Sequence, residues 1–245
     1  MKRKVAFFDL DGTLGRGQQI VNFINLLCER GIYPMELRKK LDKTQNEWSN
    51  RTGSFSDFIF EAVNIFHQNI RGQNYNKFRE LAEENAENHW KQIYSFTSKL
   101  IDYLRAEGCF LVLISHAPKI IIHPFAKKYG FDKMYGRFLE TDAQGNFTGG
   151  LLFEDMIIDK AKIVDHVIKK YNFSLVDSVA VGDSEGDISM LSAVERPLCM
   201  NPNSELYKYA KQKNWPIVVE RKDVVYVVSF DQEEKQKELF QYLLK

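Results

Sequence analysis

Cysteine is scarce in this chain, and the three present, Cys28, Cys109 and Cys199, stand far apart. So scattered and odd a set fits neither a disulfide framework nor a zinc site, and a reducing compartment, the cytoplasm, is expected. Net charge is nearly absent as well: 34 Lys and Arg stand against 33 Asp and Glu, a formal +1. That balance removes any electrostatic ground for nucleic acid or an anionic membrane as the main partner. No uninterrupted apolar run reaches the length of a bilayer span. The basic start Met1-Lys2-Arg3-Lys4 looks like the head of a signal peptide, but the apolar run behind it stops at Asp9. Repeats and low-complexity linkers are also missing. What remains is an ordinary globular composition, 44% hydrophobic and 27% charged over 245 residues, enough for one large domain or two modest ones.

The stretch Val5-Ala6-Phe7-Phe8-Asp9-Leu10-Asp11-Gly12-Thr13 organises the rest. A short, strand-favouring apolar run of this kind suits a strand buried on both faces of a parallel sheet. Asp9 would be costly there unless it sits at the carboxyl end, near a cation or hydrogen-bond donors. Ligands of open α/β sheets bind at that edge. Gly12 lets the backbone turn sharply and approach a ligand closely.

Four helical patterns follow with no strand among them. Ile20, Phe23, Ile24 and Leu27 share a face that ends at Gly31; Pro34 opens a second helix with Leu37, Leu41 and Trp48 inward. Ser54 caps a third carrying Phe55, Phe58, Ala62 and Phe66, and Asn74 a fourth carrying Phe78 and Leu81. Residues 15–92 therefore read as an all-helical bundle inserted into a core of residues 1–14 and 93–245. Alternation then resumes. A helix around Leu100 ends at Gly108, a buried strand runs from Cys109 to Ser115, and Pro118 opens the next helix. Asp142 to Asn146 has hairpin chemistry, a helix follows Lys160, and Val179-Ala180-Val181 leads into Gly182-Asp183. Later strands are expected at Leu198–Met200, Ile217–Val219 and Val224–Val228, then a polar helix with Leu239 and Leu243. The pattern predicts an α/β fold: a mainly parallel sheet with helices on both faces.

Three strand ends would then share one sheet edge, bearing Asp9 and Asp11, Ser115, and Asp183. Carboxylates gathered so closely repel unless a cation joins them, and an all-oxygen ligand set favours Mg²⁺, which also accepts a phosphate oxygen. Lys160 adds positive charge to the same pocket, with Lys162 its near rival. Metal, lysine and hydroxyl together suit the nonbridging oxygens of a phosphoryl group. Asp9 is then placed to attack phosphorus, and Asp11 to protonate the leaving group and later deprotonate water. Asp187 either serves this site or caps the helix starting near Ile188. His116 beside the site is a candidate for the substrate rim or a structural residue.

Asp9-Leu10-Asp11-Gly12-Thr13, Ser115 after an apolar strand, Lys160, and Gly182-Asp183-Ser184-Glu185-Gly186-Asp187 resemble the four motifs of the haloacid-dehalogenase-like superfamily. Their order and the helical insertion resemble its phosphoserine-phosphatase-like branch. The resemblance implies a helical cap over a Rossmann-like core and Mg²⁺-dependent hydrolysis of a small phosphomonoester. It makes Asp9 the nucleophile, Asp11 the acid/base, and Ser115 and Lys160 the phosphate holders, with Gly12 and His116 lining the phosphate. It places the metal on Asp9, the Asp11 carbonyl and Asp183, with Asp187 supporting from behind. Gln18 stands where that branch carries a glutamate, Gly186 where it carries asparagine, and His116-Ala117 where it carries small glycines. The helix Phe55–Val63 also lacks its substrate-gripping arginine. These departures point to a related branch with a different or broader phosphoester specificity. Phosphoserine phosphatase proper and a phosphotransferase using the same intermediate are the alternatives.

Overall fold

A computed structural model describes residues 3–228 of the protein. The expected helix around Leu239 and Leu243 lies outside them. Strand β1 (Val5–Phe8) is followed by helices α1 (Gln19–Glu29), α2 (Met35–Ser49), α3 (Phe55–Asn69), α4 (Tyr75–His89) and α5 (Ser95–Ala106). Then come β2 (Phe110–Pro118), α6 (Lys119–Lys128), β3 (Lys133–Thr141), β4 (Phe147–Leu152), α7 (Glu154–Ile158) and α8 (Lys160–Tyr171). The chain continues through β5 (Val179–Gly182), α9 (Ile188–Ser192), β6 (Arg196–Met200), α10 (Ser204–Lys213), β7 (Ile217–Arg221) and β8 (Val224–Val228).

The eight strands form one sheet in the order β4-β3-β2-β1-β5-β6-β7-β8. Pairings from β3 through β7 are parallel, while β4 and β8 join the two edges antiparallel. This is the α/β architecture expected. Successive residues of β1 serve opposite faces, as a strand's two-residue period requires. Ala6 and Phe8 pack with α5 and α6 through Leu100, Leu104 and Phe125. Val5 and Phe7 pack with α8 and α9 through Ile163, Val167 and Leu191. With both faces covered, β1 is buried throughout.

Local chemistry shapes the helical stretch as read. Ser54 and Asp57 form a reciprocal capping box at the start of α3, and the Asn74 side chain accepts the first amides of α4. Phe23, Phe66 and Phe78 form the middle of this layer, whose core also takes in Ile120 and Ile121 of α6 and Phe147 of β4. Trp48, expected inward, is 40% exposed and instead lies against Phe55 and Phe58. The two connections into the bundle run side by side. Arg16 donates its amide to Gln92, Tyr94 donates to Leu14, and Gly15 bridges Ile93. Among the described residues no helix is long and apolar enough to cross a membrane, and all three cysteines are buried and free.

Strand β2 differs from expectation. It does not end at Ser115 but runs to Pro118, with its register against β3 slipping between Ile114 and Pro118. An irregularity there re-aims the side chains at the strand's carboxyl end.

Candidate active site

Parallel pairing sets β1, β2 and β5 in register, so their carboxyl ends open on one edge. Asp9 continues β1 by one residue, donating its amide to the Val181 carbonyl at 3.0 Å. The chain then turns at once, the Leu10 carbonyl accepting the amides of Leu14 and Gly15. Gly12 permits this turn with φ of 83°. Its missing side chain matters equally, because a Cβ there would lie 2.0 Å from Asp183 Oδ2. Gly182 does the same for the other loop: a Cβ would stand 2.4 Å from that of Asp187.

At the centre is Lys160, the first residue of α8 and only 1% exposed. Its ammonium donates to Asp9 Oδ1 at 2.7 Å and to Asp187 Oδ1 at 2.6 Å. Lys162, the rival in the sequence, points away and donates to the Asp155 carbonyl. The other oxygen of Asp187 accepts the amides of Asp183 and Ser184 and the Ser184 hydroxyl. Asp187 thus fixes both the lysine and the loop that presents Asp183. Ser115 is buried, and its Oγ accepts the Ala117 amide at 3.0 Å. Asp11 turns elsewhere: its Oδ1 accepts the Gln19 amide at 2.7 Å, at the start of α1.

Carboxylate oxygens of Asp9, Asp183 and Asp187 lie within 4.8 Å of one another. One ammonium serves this group, and the shortfall shows in the acidities. Burial raises Asp9 despite the pull of Lys160, with Asp187 and Asp11 adding to the rise. Asp183 is raised well above the usual carboxylate range by burial and by the charges of Asp9 and Asp187. Burial lifts Asp11 to about 6 against the Gln19 amide. For Lys160, burial works against the ammonium, but Asp187 and Asp9 outweigh it and hold the side chain charged. A hard divalent cation is what such a set of oxygens lacks, so the residues present fit one. The Asp11 carboxylate is not among the converging three; Asp187 is.

His116 lies against Gly186, where a Cβ would stand 3.1 Å from its Cε1. Burial, helped by the charge of Lys160, pushes its imidazole down to about 4, so the ring is neutral near pH 7. The two departures noted in the sequence are therefore one feature: glycine in one loop makes room for histidine from another.

Residues 6–192 match the family of haloacid dehalogenase-like hydrolases. The chain belongs to that family. Histidinol-phosphatase of Neisseria meningitidis serogroup C is 25% identical to this hydrolase, over 88% of this chain and 98% of its own. A phosphoserine phosphatase of Mycobacterium tuberculosis is 26% identical, over 86% of this chain and 69% of its own. A protein of unknown function from Bordetella pertussis Tohama I superposes with a TM-score of 0.72 at 20% identity, covering 89% of this chain and 98% of its own. A phospho-aspartyl intermediate analogue of phosphoserine phosphatase superposes with a TM-score of 0.62 at 20% identity, covering 99% of each chain. The hydrolase thus shares its fold with phosphoserine phosphatases, and its relatives set it in their branch of the family.

Two features of this edge carry no motif. Glu220 of β7 is buried, pairs with Arg16, and accepts the amides of Ser95 at 3.0 Å and Phe96 at 2.8 Å. Arg137 of β3 has a buried Nε with no hydrogen-bond partner among the described residues. Only the sheet order brings either one near the site, and a linear reading has no signal for that.

Proposed function

We propose that the protein is a Mg²⁺-dependent phosphatase of small phosphomonoesters, working through a phosphoaspartyl intermediate on Asp9. The observation that supports this is the junction of Asp9, Asp183 and Asp187 around the buried ammonium of Lys160. Asp9, Asp183 and the Asp11 carbonyl would hold Mg²⁺, which when bound offsets the charge of the carboxylates and of the phosphoryl oxygens. Lys160 and Ser115 hold those oxygens from the protein side, with Gly12 and His116 beside them. Asp9 attacks phosphorus as the ester P–O bond breaks, and the leaving oxygen takes the proton from Asp11. Asp11 suits this role because burial lifts it to about 6 and leaves Oδ2 without a described donor. In the second half, Asp11 removes a proton from the water that splits the acyl phosphate, and Asp9 is restored.

Residues 15–92 form the proposed cap, and 1–14 with 93–245 the core; the adjoining connections at Gly15 and Ile93 support that division. Relatives named histidinol-phosphatase and phosphoserine phosphatase support a small phosphorylated metabolite as substrate.

The deciding experiment is hydrolysis of p-nitrophenyl phosphate by wild type and Asp9→Asn, with Mg²⁺ and with EDTA. Loss of at least about a thousandfold in kcat, with circular dichroism unchanged, is expected of the variant and of the chelated enzyme. An Asp9→Asn protein that turns over normally overturns the assignment of the nucleophile.

A further inference from the structure

One cavity is lined by none of the residues placed at the carboxylate centre. It measures about 430 Å³ and opens between α4, α6 and the β3–β4 hairpin, where Arg79, Lys119 and Arg137 line it together with Tyr75, Phe138 and Phe147. No carboxylate lines it. In a chain whose formal net charge is only +1, three strong cations in one cavity without an acid form a local imbalance. None of the three forms an ion pair with a described carboxylate, and the Arg137 Nε is buried without a partner among the described residues. Mutual repulsion of cations, and a desolvated guanidinium N–H left unused, both cost free energy that an anion would offset.

The rest of the lining describes the body of the ligand. The Lys119 ammonium sits 5.1 Å from the centre of the Phe138 ring, and the Tyr75 and Phe147 rings lie 5.9 Å apart. Such walls suit a flat apolar group. Location adds a third point. Arg137 pairs with Pro118 just past Ser115, at the catalytic edge of the sheet. Its charge is felt by His116 on that edge and by His67 of α3.

We infer that this cavity binds a small organic anion with a flat apolar body, gripped by Arg79, Lys119 and Arg137 beside the catalytic edge. The anion is either the far end of the substrate's leaving group or a separate effector. The test uses the whole chain and the fluorescence of 8-anilinonaphthalene-1-sulfonate, with N-phenyl-1-naphthylamine as the same ring system without charge. Wild type binds the sulfonate at least about tenfold more tightly than the amine. Arg79→Ala and Lys119→Ala each weaken the sulfonate about fivefold or more, leave the amine unchanged, and keep the wild-type Tm. Equal affinity for the two probes, or variants that bind the sulfonate like wild type, overturns the site. Competitive inhibition of p-nitrophenyl phosphate hydrolysis assigns the cavity to the leaving group, and noncompetitive inhibition to an effector. Because binding is read without turnover, failure here leaves the phosphatase reading standing, and loss of that reading leaves the cavity testable.

Discussion

A single methyl group separates a working acid cluster from a disrupted one at Gly12. Alanine there must adopt a φ of 83° and bring its Cβ to 2.0 Å from Asp183 Oδ2, so either the turn or the carboxylate has to shift. Gly12→Ala should lower stability by about 1–2 kcal/mol from the backbone alone. The concentration of Mg²⁺ needed for half-maximal rate should rise about tenfold or more, and a metal titration of activity checks this. His116 gives a pH-dependent counterpart. Folding lowers its pKa from 6.5 to about 4, so between those values the unfolded chain holds more protons than the native one. Its contribution is complete above pH 6.5 and is lost as pH falls toward 4. Wild type should lose more stability than His116→Gln between pH 7 and about 4.5, and the difference between their denaturation curves cancels the carboxylates they share. Parallel curves would reject the buried neutral ring. The convergence of Asp9, Asp183 and Lys160 was legible because each sits next to an apolar run or glycine that marks a strand end or helix start. The choice of Lys160 over Lys162 was not, since it depends on which side of α8 meets β1.

Among the elements, the paired connections into the helical stretch are the part no motif announces. Connections at Leu14–Arg16 and Gln92–Tyr94 are joined by backbone hydrogen bonds, and Glu220 ties both to the first amides of α5. A carboxylate at a helix N-terminus answers amides that have no partner within the helix. Asp11 does the same for α1 through the Gln19 amide, so the proposed acid/base residue is bonded to the first turn of the bundle. Glu220→Ala should cost about 1–3 kcal/mol by leaving the α5 amides and Arg16 without their acceptor. Glu220→Gln should recover part of that, and urea denaturation of the three proteins measures it. Identical midpoints would mean the contact is incidental. The helices themselves were readable from apolar spacing and from caps such as Ser54 and Asn74. The reach of β2 beyond Ser115 was not, because polar His116 and then Pro118 break the apolar pattern, although β3 resumes its pairing at Pro118.

Across the whole molecule, the sheet order is what gathers residues spaced far apart in sequence. Asp9 and Asp183 end up side by side because β5 pairs with β1, a long-range choice that local patterning only suggests. The alternation of strands and helices predicted a parallel sheet with these strand ends on one edge, but not which strands pair. It left out the bundle's sharing of its core with Ile120, Ile121 and Phe147, since contacts between separate layers leave no trace in local periodicity. A buried cluster short of positive charge would also make the fold sensitive to a cation bound there. Mg²⁺ at about a hundred times its Kd should stabilise the protein by about 2.7 kcal/mol over the EDTA-treated form. Asp183→Ala should erase that gain in a thermal melt, and a wild-type Tm indifferent to Mg²⁺ would count against the metal site. The neighbouring stalks of the helical bundle have one more consequence. Because Gly15 and Ile93 already touch, a bundle of another length or shape would leave β1 and α5 undisturbed only if it still presents an apolar face to Ile120, Ile121 and Phe147. On the proposed function the sheet is in this sense a socket, and selectivity would diversify through what is plugged into it while the chemistry at Asp9 stays put.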